Sequence, residues 1–373
     1  MRNIRVLLFL FLSIGLGSCT RKSDNKKPII KADLNNVVSI HKINLIDSLS
    51  ILRLDNTVAI GRVDKVIRNN NHLYLLDAYV TNSVFVYDLN GNFIKQITNV
   101  GQGPEEYSQL TDIFIDRKEK VLALVSRMDK KLLKYDLDNL EIKAVERTPK
   151  AFFYLTDTSN GYAGFMNNFI EDDPFNLWLM SKSLELGDGF FKIPASESSK
   201  ASGSIRPFST YSEKTYYIQP YDFNIYHVNK KGNTVFCRFD FGKVRNDDPG
   251  QYADNLYLFQ ETNNYMITKT VFKEKELLVI YDKKTKQTYT VRLDAYTNKY
   301  LIPFGRIAGM DESAIYTLVS AANVKRNIMG KDEYNDFESL YPEQVGNLRE
   351  KFKNANINEE DNPFLLIHYF NIN

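Results

Sequence analysis

Apolar positions along most of the chain come in short, dense runs broken by polar turn residues. The clearest set begins at Leu73 with LYLLD, continues with Ser83–Asp88 (SVFVYD) and the turn LNGN, and ends with Phe93–Thr98 (FIKQIT). Runs this short, rich in β-branched and aromatic residues, predict strands bounded by turns. Asn90-Gly91 predicts a two-residue hairpin turn, because a type I′ turn needs positive φ at both central positions. The same order returns as Asp112–Asp116, Val121–Ser126, Lys131–Asp136 and Ile142–Arg147.

The ends of the third strands act as a ruler. Tyr87-Asp88 is followed by Tyr135-Asp136, Met180-Ser181, Val228-Asn229 and Tyr281-Asp282, at steps of 48, 45, 48 and 53 residues. Four short strands fit that period, which is the size of a propeller blade. Six innermost strands are predicted: Gly61–Ile67, Asp112–Asp116, Phe152–Asp157, Ile205–Tyr211, Met266–Phe272 and Phe304–Met310. The expected fold class is therefore all-β, a six-bladed β-propeller of four-stranded blades. A seventh blade would have to hide between Ala151 and Pro207. A β-sandwich is the alternative architecture, and the regular spacing argues against it.

A ring needs its two chain ends in one blade, or two sheet edges stay open. The run Pro363–Phe370 predicts a last strand, and Ser39–Ile46 with Leu49–Leu54 could complete its blade. Between blade six and that strand lies a charged insertion, residues 327–362. Pro342-Glu343 there predicts a helix start, with Val345, Leu348 and Phe352 on one face.

The first residues follow a different pattern. Met1–Arg5 is cationic, and Val6–Leu16 is an apolar run too short to cross a bilayer as a helix. Leu16-Gly17-Ser18-Cys19 resembles the lipobox of bacterial lipoproteins, which implies cleavage before Cys19 and acylation of that residue. Residues 1–18 are thus expected to be a signal peptide, 19–36 a lipidated tether and 37–373 the propeller. The expected location is the bacterial cell envelope, lipid-anchored, at the outer membrane facing the periplasm. Several acyl chains hold far more firmly than one.

Charge and cysteine usage narrow the partners. Lys and Arg number 48 against 46 Asp and Glu, a net charge of +2 that gives no case for nucleic acid. Cys237 is the one thiol besides Cys19, so no disulfide within the chain remains after lipidation. It shares a strand face with Val235, Phe239 and Phe241 and reads as a small core hydrophobe.

Residues Ser83–Asp116 are similar to the NHL-type repeat, and more closely to six-bladed β-propeller lipoproteins of Bacteroidetes, within the NHL/TolB-like propellers. The resemblance rests on Gly101-Gln-Gly103-Pro104-Glu-Glu106-Tyr107 between blades one and two, and on Asn362-Pro363 before an apolar strand. It implies the fold and an envelope location, and most members have no assigned activity. Blade three departs most, since its third strand lacks the Tyr-Asp ending.

Candidate chemistry is sparse. Gly101-x-Gly103-Pro104 lacks the third Gly, the Lys and the following helix of a phosphate loop, so a crossover with glycines at unusual φ is expected. His41, His72, His227 and His368 fall at unrelated repeat positions, and no metal or other cofactor is expected. Asp88-Leu-Asn90-Gly91-Asn92 reads as a hairpin tied by its own side chains rather than a calcium loop. No GxSxG or Cys/His pairing supports a hydrolase triad. The innermost strands would bring Gly61-Arg62, Thr111-Asp112, Tyr154, Arg206, Thr268 and Gly305-Arg306 to the channel mouth. Arg62, Asp112, Tyr154, Arg206 and Arg306 are the candidate ligand-binding residues, since a guanidinium fork suits carboxylate or sulfate. Pairing of these arginines with Asp112 or loop carbonyls is the competing expectation. Two functions remain: a non-catalytic envelope propeller binding a peptide, glycan or partner protein, or a channel-sited lactonase-like metal-dependent hydrolase or lyase. A lactonase would need several inward acidic ligands, and Asp112 alone is clear.

Overall fold

In the computed structural model the described residues are 27–38, 40, 43–198, 205–229, 232–242, 255–292, 306–327, 350, 352 and 356–371. The signal peptide, Cys19, His41, Gly305, Val345 and Leu348 lie outside them.

The described residues open with an arm of three strands, β1 (Ile29–Lys31), β2 (Val37–Val38) and β3 (Ile46–Arg53). Blade one is then β4 (Lys65–Asn69), β5 (His72–Asp77), β6 (Ser83–Asp88) and β7 (Phe93–Ile97). Blade two is β8 (Asp112–Asp116), β9 (Val121–Ser126), β10 (Lys131–Asp136) and β11 (Ile142–Arg147). Blade three is β12 (Tyr154–Thr158), β13 (Gly161–Phe165), β14 (Phe175–Met180) and β15 (Leu186–Lys192). Blade four holds β16 (Phe208–Tyr211), β17 (Lys214–Ile218), β18 (Asn224–Asn229) and β19 (Gly232–Asp240). Blade five holds β20 (Leu256–Glu261), β21 (Tyr265–Phe272), β22 (Lys275–Asp282) and β23 (Thr288–Arg292). Blade six is β24 (Ile307–Met310), β25 (Ala314–Val319), β26 (Phe364–Phe370) and, outermost, β3. The protein is an all-β, six-bladed propeller, as the period of the third strands predicts.

Position within a blade explains the sequence pattern. Middle strands pack against neighbouring blades on both faces, so β5 and β6 are almost wholly buried and read as continuous apolar runs. Outer strands meet solvent, so β7 and β11 mix Lys, Gln and Glu with Phe, Ile and Val. The core consists of layers between blades. Tyr74, Leu76, Val84 and Val86 of blade one meet Ile113, Leu122, Leu124 and Leu133 of blade two. Leu73, Phe85 and Tyr87 meet Tyr316, Leu365 and Ile367 of blade six, which closes the ring. Cys237 belongs to the layer around blade four; burial pushes its thiol well above the ordinary range, so it acts as a core hydrophobe.

Closure departs in detail from expectation. The single strand β3 completes blade six, running antiparallel to β26 with Ile51 opposite Leu366. Residues 19–36, expected to be tether, instead contain β1, which adds a parallel fifth strand to β19, and β2 adds likewise to β23 just beyond them. Ile30, Ala32 and Leu34 are buried there, which holds the arm to the blade. The helix before the last strand is α1 (Ala321–Asn327), which begins before the predicted insertion. Within the insertion, Phe352 is helical and packs edge-on against Phe364, 5.5 Å between ring centroids.

Two turns differ from their sequence reading. Between β6 and β7 only Gly91 has positive φ, so the loop is a type I turn closed by Gly91 N–H to the Asp88 carbonyl (3.1 Å), not a two-residue I′ turn. Asp88 accepts from the backbone N–H groups of Asn90 and Asn92, as its side-chain chemistry predicts. A Cβ on Gly91 would lie 2.3 Å from the Arg53 carbonyl of the closing strand. In the crossover from blade one to two, neither Gly101 nor Gly103 has positive φ. A Cβ built on Gly101 would lie 2.0 Å from the Glu106 carboxylate, so that side chain would have to swing aside. Glu106 accepts from the Gly103 N–H (2.7 Å), and Lys131 Nζ donates to the carbonyls of Gly103 and Glu106.

Candidate functional site

The innermost strands all begin at one face, and the residues just before or at their starts converge on the channel. Arg62 and Asp64 precede β4, Asp112 opens β8, Tyr154 opens β12, Arg206 precedes β16 and Arg306 precedes β24. All six line a cavity of about 1170 Å³. Strand alternation puts Val63 into the core and Arg62 and Asp64 on the channel side.

Asp64 is the hub. Its Oδ1 accepts from Arg62 Nε (2.8 Å) and from Arg306 Nη2 (3.0 Å), and its Oδ2 from the Ala78 N–H (3.0 Å). One carboxylate therefore joins blade six to blade one. The Arg62 guanidinium also lies 4.4 Å over the ring of Tyr79, which is 68% exposed. From blade four, Arg206 Nη2 donates to the carbonyls of Asp64 and Ile307 (2.9 Å each). Its own backbone N–H donates to the Tyr257 carbonyl of blade five (2.8 Å). Burial draws the Arg206 pKa down to about 10, opposed by Tyr154.

Beside this network Lys65 Nζ donates to Asp112 Oδ1 at 2.7 Å, and the Leu155 N–H donates to Oδ2 at 3.3 Å. Burial raises the Asp112 pKa, and Lys65 opposes that shift. Burial, then the charge of Asp112, also pushes the Tyr154 phenol above its ordinary range. At these strand starts the cations Arg62, Lys65, Arg206 and Arg306 face the carboxylates Asp64 and Asp112, and the cavity lining as a whole has eight Lys and Arg against six Asp and Glu. An excess of fixed cations in a semi-enclosed cavity attracts anions and orients planar ones through the guanidinium forks.

The structure places Arg62, Asp112, Tyr154, Arg206 and Arg306 around one cavity. Thr268 does not join them. The innermost strand of blade five is Leu256–Glu261, and Met266–Phe272 falls in the second strand, where Thr268 is buried and donates to the Leu258 carbonyl. The arginines Arg62 and Arg306 pair with Asp64 rather than with Asp112. Asp64, Lys65 and Tyr79 went unrecognised; the alternation Arg62-Val63-Asp64 carried the signal for the first. Among the described residues no group of three or more His, Cys, Asp or Glu is placed to hold a metal ion. None of their helices is long and apolar enough to cross a membrane.

Fold and mouth together define a six-bladed propeller with a cationic channel opening. The chain belongs to the family described as Domain of unknown function (DUF4934), whose model matches residues 28–369. Among solved structures it is similar to a Bacteroides fragilis protein described as exported, with 19% identity over 91% of this chain and 98% of that one, and a TM-score of 0.69. It is also similar to a member of the duf4221 family from Bacteroides vulgatus (10% identity, 91% and 99% covered, TM-score 0.48). A streptogramin B lyase matches at 10% identity over 72% and 80% of the two chains, with a TM-score of 0.46. These are likenesses of fold. No curated protein matches the chain.

Proposed function

We propose that this chain is a non-catalytic envelope protein, anchored by lipid on Cys19 at the outer membrane and facing the periplasm. Its propeller binds a peptide, glycan or partner protein through a carboxylate or sulfate set against the channel mouth. The observation that carries this reading is the imbalance at the mouth: Arg62 and Arg306 share one carboxylate, Asp64, while Arg206 is met by carbonyls. Each arginine keeps donors for a further acceptor, since a guanidinium has five N–H groups. The Leu16-Gly17-Ser18-Cys19 motif supports the anchor.

Binding is tested by titrating galacturonate and short acidic peptides into wild type and into the Arg62→Ala and Arg306→Ala variants. Both side chains are 44% exposed, so their pairs with Asp64 contribute about 0–1 kcal/mol to stability. The variants should melt close to wild type and bind at least about tenfold more weakly, the loss of one charge-assisted contact. A large drop in melting temperature with no ligand response in wild type would refute the binding site. Protease treatment of intact cells tests orientation, because a periplasmic domain stays uncut.

A further inference from the structure

The turns between second and third strands open on the same face as the channel mouth. In the turn of blade two, Arg127 reaches between two rings from the blade three side. Its guanidinium carbon is 3.9 Å from the centroid of Phe153 and 4.6 Å from that of Phe169. Nε is buried without a hydrogen-bond partner. Nη1 meets Met128 Sδ at 3.8 Å, and Met128 is 67% exposed. Nη2 has no partner among the described residues and is not buried. The carboxylate of Glu171 is engaged by Lys130 Nζ and, at 3.3 Å, by the Ala151 N–H.

This is a costly way to fill a gap between two rings. Leu or Met would pack there without stripping water from a charge. Two rings crowd the guanidinium and its Nε edge is buried, and burial lowers its pKa, opposed by the charge of Glu171. What remains is the Nη1–Nη2 edge, held rigid by the rings and bordered by an exposed thioether. A rigid fork loses little freedom when it takes a planar anion, and the low-polarity surroundings strengthen the contact.

We propose that Arg127, Phe153, Phe169 and Met128 form a recognition site for a carboxylate borne on an apolar body, such as the C-terminal residue of a hydrophobic peptide. The carboxylate meets the fork, and the apolar body lies on Met128 and the ring edges. The site shares no residue with the channel network, so it stands independently of the reading proposed for the mouth. Phe153 and Tyr154 are consecutive, which puts the two sites on either side of one backbone step.

The test is calorimetric titration of the full-length protein with N-acetyl-phenylalanine and, in parallel, its amide. The acid should bind saturably and the amide at least about tenfold more weakly, since it lacks the charge that the fork recognises. Arg127→Leu keeps the sandwich filled and should lose at least about tenfold in affinity, while Arg127→Lys should lose at least about fivefold for want of a planar fork. Met128→Asp puts a competing carboxylate at an exposed position and should block the acid with an unchanged melting temperature, which serves should Arg127→Leu not fold. Equal binding of acid and amide, undiminished binding by Arg127→Leu or Met128→Asp, or no saturable binding by wild type overturns the assignment. If binding is lost in Arg306→Ala but retained in Arg127→Leu, the probe sits at the channel mouth, and the assignment to Arg127 falls while the mouth reading gains.

Discussion

Deleting Pro363 onward removes β26 from between β25 and β3. Phe364, Leu365, Leu366, Ile367 and Phe370 are all buried with at most 3% exposure. At about 1.5–3 kcal/mol for each large apolar side chain, their burial contributes roughly 8–15 kcal/mol. That equals the whole stability of a typical domain, about 5–15 kcal/mol. The loss does not stop there. β3 pairs in blade six only through β26, so Ile51 and Leu52 lose their cover, and the ring is left with two open edges. The truncated chain should therefore show no cooperative melt by circular dichroism and should aggregate on concentration. A graded version is Leu366→Ala, which creates a cavity between Thr317 and Ile51 and should cost about 2–5 kcal/mol in a denaturant titration. A truncated protein that melts within a few degrees of the full chain would show that blade six holds without its third strand, and the closure argument would be wrong.

Three further outcomes are expected. Gly101→Ala should displace Glu106 from the Gly103 N–H and cost about 1–3 kcal/mol; in a Glu106→Ala background the same change should cost far less, and equal costs in both backgrounds would refute the packing role. His368 is buried beside Thr317 Oγ1 (3.0 Å), and burial draws its pKa from 6.5 to about 3. The folded state holds it neutral while the unfolded chain protonates near pH 6.5, so stability is full above that pH and falls by about 1.4 kcal/mol per unit as pH drops toward 3. His368→Gln should flatten the melting-temperature profile between pH 6.5 and 4, and an unchanged slope would count against the assignment. Cys19→Ala should abolish incorporation of labelled palmitate into the protein, and a variant labelled as strongly as wild type would exclude acylation at Cys19.

The blades were legible because their middle strands are buried on both faces and their third strands end in repeated residue types. Blade five was read one strand out of place: the hairpin Tyr265–Asp282 carries a stronger apolar pattern than the true innermost strand, Leu256–Glu261, which is shorter and carries Gln260 and Glu261 at its end. β1 and β2 are three and two residues long, too short for any periodicity, and their pairing is set by distant edges. The site was legible as a set of arginines near strand starts. Its hub was not: ring closure makes the arginines of the first and last blades neighbours, but no local spacing marks Asp64 as the carboxylate they share. Arg127 was invisible for the same reason: its rings come from the blade three side, far along the chain.

The arm formed by β1 and β2 bears on how the ring assembles. β3 is made near the start of the chain, but its partner β26 is made almost last, so a free arm would have to find that strand across a loop nearly as long as the protein. Docking of β1 on blade four and of β2 on blade five holds the arm beside the blade that β3 completes. The loop left to close then runs only from blade five to β26. Shortening it that far spares about 1 kcal/mol of closure entropy. In the folded chain the two small edge strands thus tether β3 at the edge of blade six through short connections, whatever the order in which the blades form.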